Sequence, residues 1–491
     1  PCEAKCTRNS LDQSLAIDAI KMFVADQERE KDKRFVPQKT AQHNNKAAVI
    51  GSGPAGLSCA YYLAVDGFKV TVFEKNARPG GMLMMGIPSF RLEKEVLDSE
   101  IEVLRELGVE FRCGVEVGRD TTIAALREAG YEAFYLAIGA QKSAALGIPG
   151  EELDGVYGGV DFLHEINSGN KPAVGKRCAV IGGGNVAMDV CRSAVRLGAE
   201  ETYIIYRRSE AEMPADKQEI AEAMSEGVKF RFLNAPAAIE GENGEVKALR
   251  VEIMELGAPD EKGRRKAEGT GKFEEIAVDS VIAAIGQNID WGALDTGAME
   301  KGKKSAAVVD GIAYQTAEAD IFAGGDCVTG PRFAIDAIAA GKQGAISISR
   351  LLRGRNLTDG RNASFEAIDT DDVSVRVSRI DATPRQTAPE VDGKASAKTF
   401  KDLREGLTEE QIRREAKRCL HCGQSVVDTD KCIGCGVCTH RCKFDAIHLV
   451  RVDDTQSAEN MANWYGRLAL NLVKRGASIA ANAVGELVKK D

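Results

Sequence analysis

Nowhere in its 491 residues does the chain run to about 18 apolar residues in a row, the length that a membrane-spanning helix needs. Positive charge is in deficit, with 65 Lys and Arg against 74 Asp and Glu, and no basic stripe interleaved with aromatics occurs. Both facts argue against a nucleic-acid partner. The densest basic stretch, Lys262-Gly263-Arg264-Arg265-Lys266, lies between strand-like segments and reads as a solvated hairpin tip. Histidine numbers only five, and no Ser/His/Asp or Cys/His nucleophile set stands out. The first residue is Pro1 rather than Met, which leaves room for upstream sequence, a targeting segment included. What the chain does have is cysteine, thirteen in all, eight of them gathered at its two ends. Clustering of that kind suggests metal ligation, and the expected compartment is a reducing cytoplasm.

Glycine, 50 residues of it, is concentrated where it carries information. Residues 46–50 lead into Gly51-Ser52-Gly53-Pro54-Ala55-Gly56, and the next strand, 69–73, ends at Glu74. Residues 176–181 lead into Gly182-Gly183-Gly184-Asn185-Val186-Ala187, and the strand at 203–206 ends at Arg207-Arg208. In a strand–turn–helix unit these glycines permit a tight turn and close approach of a pyrophosphate, which lies on the helix amino terminus. An acid at the following strand end accepts hydrogen bonds from a ribose diol, whereas an arginine pair favours a 2′-phosphate. Two different dinucleotides are therefore expected, the second of them NADPH. The late turn Ala323-Gly324-Gly325-Asp326 makes the first FAD, with the Asp and backbone N–H groups on the ribityl and diphosphate. The helix beginning near Phe333 would aim its positive end at the flavin. The candidate FAD site also takes in Lys75, Gly81, Met82, Leu83, Arg91, Val117, Ala137, Gly139, Ala334 and Ile335. The candidate NADPH site adds Asp189, Met213 and Gly286.

Cys432, Cys435, Cys438 and Cys442 make the C-x2-C-x2-C-x3-C run of bacterial ferredoxins, which points to iron–sulfur rather than zinc. In that arrangement the last cysteine ligates another cluster, so a second one is implied. Cys419 and Cys422 form a truncated partner run, and Cys2 and Cys6 complete a count of eight thiolates, enough for two 4Fe–4S clusters. Their division between clusters stays open. Cys59, Cys113, Cys178, Cys191 and Cys327 sit in apolar or nucleotide-adjacent segments and read as packing residues. Flavoprotein disulfide reductases place a cysteine pair shortly after the first ribose acid. Here that region, Arg78-Pro79-Gly80-Gly81-Met82-Leu83-Met84-Met85-Gly86, has none, so electrons must leave the flavin by another route.

The expected fold is α/β: two Rossmann-like dinucleotide domains, one inserted in the other, with a helical amino-terminal segment and a carboxy-terminal ferredoxin-like module. The expected boundaries are 1–45 for a cluster-ligating segment, helical after its cysteines with Leu11, Leu15, Ala19 or Ile20, and Phe23 at helical spacing. They continue with 46–150 and 288–355 for the FAD domain and 151–287 for the NADPH domain. The last includes an antiparallel excursion over 248–256 and 276–285. A linker at 356–410, an iron–sulfur module at 411–455 and docking helices at 456–491 complete the chain, with Thr408 and Gln411 capping a helix that delivers Cys419.

The stretches Gly80-Gly81-Met82-Leu83 through Gly86-Ile87-Pro88-Ser89-Phe90-Arg91-Leu92, and Arg207-Arg208 followed by Met213-Pro214-Ala215, resemble the small (β) subunit of glutamate synthase. Its relatives include the NADPH-binding subunit of NADH-dependent ferredoxin:NADP oxidoreductase and the flavin half of dihydropyrimidine dehydrogenase. The resemblance covers residues 1–355 and implies FAD at the first site, NADPH at the second and hydride transfer between them. In that family an Arg-Cys-Leu-x-Cys segment precedes the Pro-Cys-Glu-x-x-Cys segment, and both ligate clusters. Here Arg418-Cys419-Leu420-His421-Cys422 follows the core while Pro1-Cys2-Glu3-Ala4-Lys5-Cys6 stays in front, which implies that the two return to one another. The expected function is an NADPH-dependent FAD/iron–sulfur oxidoreductase, an electron-transfer subunit of a larger complex, electron-bifurcating ones included. Its expected partner is a hydrogenase, a formate dehydrogenase, another flavoprotein or a ferredoxin. The alternative is the glutamate synthase small subunit serving a glutamine-dependent large subunit, against which the appended ferredoxin-like module weighs.

Overall fold

The structure, a computed structural model, describes residues 2–30, 34–260, 263, 265–294, 297–361, 383–420, 434–441, 447–449, 469 and 472–473. These fall into two compact units, one drawn from residues 1–358 and 366–422, the other from 359–365 and 423–491.

The first unit begins with two short 3-10 turns and helix α1 (Ile17–Arg29). Next come β1 (Lys46–Ile50), α2 (Pro54–Asp66), β2 (Lys69–Glu74), α3 (Met82–Met85), α4 (Lys94–Glu106), β3 (Glu110–Cys113), α5 (Ile123–Glu128) and β4 (Tyr131–Leu136). The chain leaves this domain through β5 (Lys142–Ser143) and builds a second one from β6 (Val156–Gly158), α6 (Gly159–Asn167), β7 (Arg177–Ile181), α7 (Asn185–Arg196), β8 (Glu201–Tyr206), α8 (Lys217–Ser225) and β9 (Lys229–Phe232). Three antiparallel strands follow, β10 (Asn234–Glu242), β11 (Glu245–Pro259) and β12 (Arg265–Ala277), before β13 (Ser280–Ala283). The return runs through β14 (Gln287–Asn288) to β15 (Ile321–Ala323), α9 (Asp326–Thr329) and α10 (Ala334–Leu352).

Both large sheets are five-stranded and wholly parallel, ordered β15-β4-β1-β2-β3 and β6-β13-β7-β8-β9. Their central strands are continuous apolar runs such as Ala47-Ala48-Val49-Ile50, because both faces are covered, in the second sheet by helices on one side and the antiparallel strands on the other. In the first sheet Leu63, Val72 and Tyr135 pack on one face, and Phe73, Phe134 and Leu136 on the other. Each such side chain contributes about 1.5–3 kcal/mol by leaving water. The second sheet repeats the scheme, with Val180 and Ile204 against Met188 on one face and Ile181 and Ile205 against Leu249 and Val251 on the other. The chain's two passages between the domains pair antiparallel with each other, Lys142 opposite Asn288 and Ser143 opposite Gln287.

The structure departs from sequence expectation in three places. The amino-terminal helix starts at Ile17, not at Leu11. Arg8 binds Asp12, Asn9 accepts from the Ser14 N–H, and Asp12 accepts from the Gln13 N–H, so side chains take the backbone groups a helix would use. The excursion has three strands, and residues 276–285 are split between β12 and β13 of the parallel sheet. Finally, the described part of the 356–410 linker is seated on both domains. Arg196 donates to Thr399 O, Phe400 packs on Phe90, and Arg404 donates to Arg91 O. Those anchors are aromatic and polar, not an aliphatic periodicity that would mark a docked segment in the sequence.

Helix α11 (Gly393–Ser396) lies in that strap, and α12 (Glu409–Lys417) follows with the Thr408–Gln411 capping box formed as expected. In the second unit the described residues include α13 (Val437–Arg441). Cys422, Cys432 and Cys442 lie outside the described residues, as do 456–491 apart from 469, 472 and 473. Among the described residues no helix is long and apolar enough to cross a membrane.

Candidate functional site

In an open parallel sheet, a ligand crevice forms beyond the carboxyl ends of the strands where the strand order reverses. In the first sheet that point lies between β1 and β4. Gly51, at φ +98°, follows β1 so closely that a Cβ would stand 2.4 Å from the Ala137 carbonyl oxygen after β4. The second sheet has the same device between β7 and β13: a Cβ on Gly182, at φ +146°, would meet the Ala284 carbonyl oxygen at 2.3 Å.

A cavity of about 320 Å³ opens at the first switch point, lined among others by Gly51, Ser52, Gly53, Glu74, Lys75, Val117, Ala137 and Gly139. A Cβ added at Gly53 or Gly139 would meet no atom beyond its chain neighbours nearer than 3.8 Å, so bare backbone faces the space. Such a cradle suits a diphosphate, and the helix α2 begins beside it at Pro54, Ala55 and Gly56, presenting its amino-terminal dipole. Glu74 is 4% exposed. It accepts from the Ser52 N–H at 3.0 Å and hydroxyl at 2.5 Å, and from the Asn76 N–H and side-chain amide at 2.9 Å each. Ser52 also accepts from the Gly80 N–H at 3.0 Å, tying the glycine turn to the 80–86 segment. Sequence reading missed Ser52 because it occupies an unspecified position of the glycine motif; its signal is the acid and the second glycine turn it joins.

Gly81, Met82 and Leu83 do not line this cavity, but Gly81 abuts Gly53, where a Cβ on it would lie 2.6 Å from the Gly53 Cα. Lys94, also missed, donates to the carbonyls of Leu83 and Ile87 and so holds α3; burial pulls its pKa down to about 8. Gly325 stands on Ala55, which puts Asp326 beside the start of α2. Burial pushes Asp326 up to about 6. Helices α2 and α10 run parallel, with Gly341 on Ala55 near their starts and Arg353 bound to Asp66 at 2.6 Å near their ends. Ala334 and Ile335 open α10, so both helices direct positive ends the same way.

At the second switch point Gly184 faces open space and caps α7, which starts at Asn185, Val186 and Ala187. The loop after β8 folds back onto the turn: the Ala215 N–H donates to Gly183 O, and the Asp216 N–H donates to the Asn185 side chain. That gives Met213-Pro214-Ala215 a local role. Arg207 is exposed and Arg208 half-buried at the end of β8, and Gly286 follows β13. Asp189 is buried, and both its oxygens accept from Arg91 at 2.8 Å, so the structure joins a residue expected at the flavin to one expected at the nicotinamide nucleotide. Glu219 closes the group at 2.6 Å from Arg91; burial raises it to about 7 against the pull of Arg91 and Arg192.

The two cysteine-bearing ends of the first unit are built together. Arg8 donates to the Arg418 carbonyl, 410 residues away, and Arg418 binds Glu415 at 2.6 Å and Asp12 at 3.3 Å. Glu415 also accepts from the N–H groups of Ala16 and Gln386. Cys2 and Cys6 are half-buried and Cys419 exposed; among the described residues no three Cys, His, Asp or Glu side chains gather as a metal site. In the second unit Cys435 and Cys438 are exposed, with Gly434 and Gly436 at φ +65° and +74°. The remaining described cysteines pack: Cys59, Cys178, Cys191 and Cys327 are buried and Cys113 is half-buried.

Two parallel sheets carrying matched glycine turns define a pyridine-nucleotide oxidoreductase core, and the second unit adds an iron–sulfur module. Residues 45–341 match the family model for pyridine nucleotide-disulphide oxidoreductases, and residues 425–448 match that of the 4Fe-4S binding domain. The chain belongs to the pyridine nucleotide-disulphide oxidoreductase family. It is 39% identical over 453 residues to the NADP(+)-dependent formate dehydrogenase subunit beta of Moorella thermoacetica, covering 86% of this chain and 64% of that one. It is 38% identical over 368 residues to the glutamate synthase [NADPH] small chain of Escherichia coli (strain K12), covering 72% and 78%. This chain thus spans somewhat under two thirds of the Moorella subunit. Among solved structures, Mycobacterium tuberculosis FprA in complex with NADPH matches with a TM-score of 0.55 at 21% identity, covering 64% of this chain and 85% of that one, a likeness of fold.

Proposed function

We propose that this chain is the NADPH-linked electron-transfer subunit of a larger redox complex. The observation that carries it is the contrast at matching strand ends, Glu74 closing β2 and Arg207-Arg208 following β8. The first site suits FAD: bare glycine backbone for the diphosphate, Glu74 for the ribose, and Asp326 with the start of α10 for the remainder. The second suits NADPH, whose pyrophosphate would take the amino terminus of α7 and whose 2′-phosphate would take the arginines. FAD, when bound, accepts a hydride and passes electrons on singly. With no cysteine pair at 78–86, the thiolates at the chain's ends are the exit. Cys432, Cys435, Cys438 and Cys442, together with Cys2, Cys6, Cys419 and Cys422, would supply the eight thiolates of two 4Fe–4S clusters. The Arg8–Arg418 contact supports the terminal pairs as part of that set, because it draws the segments bearing Cys2, Cys6 and Cys419 together. The match to a formate dehydrogenase subunit over 86% of this chain, against 72% for the glutamate synthase small chain, favours a partner of the first kind.

Anaerobic reduction of the flavin by NADPH tests this. Replacing Arg207 and Arg208 by Ala should raise the KM for NADPH roughly 10- to 100-fold, the worth of one charge-assisted contact, and leave NADH unaffected. Equal effects on the two nucleotides would remove the 2′-phosphate assignment.

A further inference from the structure

The two nucleotide domains meet along residues 85–92, and the groups that meet there are directional. Residues 81–92 leave the first glycine turn, where Gly81 abuts Gly53, and reach the second domain at Phe90 and Arg91. Both terminal nitrogens of Arg91 are engaged there, one with the two oxygens of Asp189 at 2.8 Å and one with Glu219 at 2.6 Å. Asp189 stands four residues into α7, the helix whose amino terminus carries Gly184 and Asn185. A helix is stiff over that length, so a grip on Asp189 is a grip on the nucleotide turn. Other contacts enforce the same alignment. The Phe90 ring lies 4.7 Å from the Arg192 guanidinium and 3.8 Å from that of Arg196. Asn167 of α6 donates to Met85 O at 3.0 Å, and Arg404 of the strap donates to Arg91 O at 2.6 Å. Arg192 and Arg196 are in turn held by Glu226.

A half-buried guanidinium bound to two carboxylates adds geometric specificity to whatever stability it gives. We infer that Arg91 is a positioning residue for hydride transfer: by holding Asp189 and Glu219, it sets the NADPH-bearing helix at a fixed place against the flavin-bearing segment. The inference rests on the proposed NADPH–FAD reading and gives Arg91 a task other than flavin contact. Where reacting atoms must be brought into near-contact, a displacement of about 1 Å costs up to about 100-fold in rate.

The test compares Arg91→Met and Arg91→Lys with the native protein, in the full chain carrying its cofactors. In Arg91→Met, flavin content and the Kd for NADPH should stay within about threefold, while flavin bleaching at saturating NADPH slows roughly 10- to 100-fold. The long-wavelength charge-transfer absorbance of nicotinamide beside flavin should weaken, and Arg91→Lys should recover part of both signals. Bleaching of Arg91→Met at the native rate, or loss of its flavin, overturns the inference. If NADPH fails to bleach the native protein, the hydride reading falls instead, and amide hydrogen exchange decides about Arg91. Faster exchange rising together at 86–92 and 185–196 in Arg91→Met supports the clamp; unchanged exchange overturns it.

Discussion

Asp326 is held against its own preference. Burial raises its carboxyl to about 6, the Arg332 N–H at 3.2 Å gives only partial compensation, and nearby Asp336 adds repulsion. Between the ordinary carboxylate value of 3.8 and about 6, the folded protein binds a proton that the unfolded chain does not. The stability from this group is therefore full below 3.8 and lost as pH rises through about 6. At neutral pH the apoprotein carries a desolvated charge that a ligand hydroxyl would relieve. Asp326→Asn should raise the apoprotein's Tm at pH 7, by a margin that narrows as pH falls through 6, while weakening FAD binding about 10-fold. Melting curves across pH and an FAD titration check both; a Tm lowered at pH 7 would contradict the account. At this scale the sequence was most readable where a residue type is demanded by backbone geometry, as at Gly51 and Gly182. It was least readable where a side chain reaches a partner far along the chain: nothing near Arg91 announces Asp189, and nothing near Arg8 announces Arg418.

Elements follow the same division. An apolar run need not name its sheet, since β13, expected in the antiparallel excursion, lies in the parallel one, but strands β1 and β7 are legible because burial on both faces demands unbroken apolar runs. Strand β12 is not: Lys266, Glu268, Lys272 and Glu274 leave it exposed, and only pairing with β11 makes it a strand. The docking of α12 on the amino-terminal segment is likewise invisible locally. Its apolar part is small, with Ala16, Leu407 and Ile412 at the centre, and its polar part is a buried Glu415 bound to Arg418, whose carbonyl in turn accepts from Arg8; each arginine is 1% exposed. Glu415→Ala would leave Arg418 with Asp12 as its remaining carboxylate partner and two backbone N–H groups unmade. The docking should weaken by about 3–5 kcal/mol. Limited proteolysis should then cut near both ends of the first unit, while melting of the nucleotide domains stays unchanged; simultaneous loss of both would mean that the ends and the core form one cooperative unit.

For the whole molecule, the cysteine count gives a number to measure. Anaerobically prepared protein should hold about eight irons per chain, four for each cluster, as four-thiolate 4Fe–4S ligation requires. Changing Cys2 and Cys6 to Ser should reduce the content to about four. A native content of about four would show that the terminal pairs bind no cluster in this chain. The antiparallel contact of β5 with β14 has a consequence of another kind, for the order in which the protein can be made. The chain emerges with β4 as an open edge, and the strand that covers it, β15, pairs through Ile321 with Phe134. At roughly 5–20 residues per second, synthesis takes about ten to forty seconds to span that gap. Once β14 has been made, the inserted domain can close on its own paired ends while the first sheet still waits for β15 with one unsatisfied edge. A chain halted between residues 288 and 321 would thus carry a folded inserted domain and a first sheet open to pairing with a neighbour's β4.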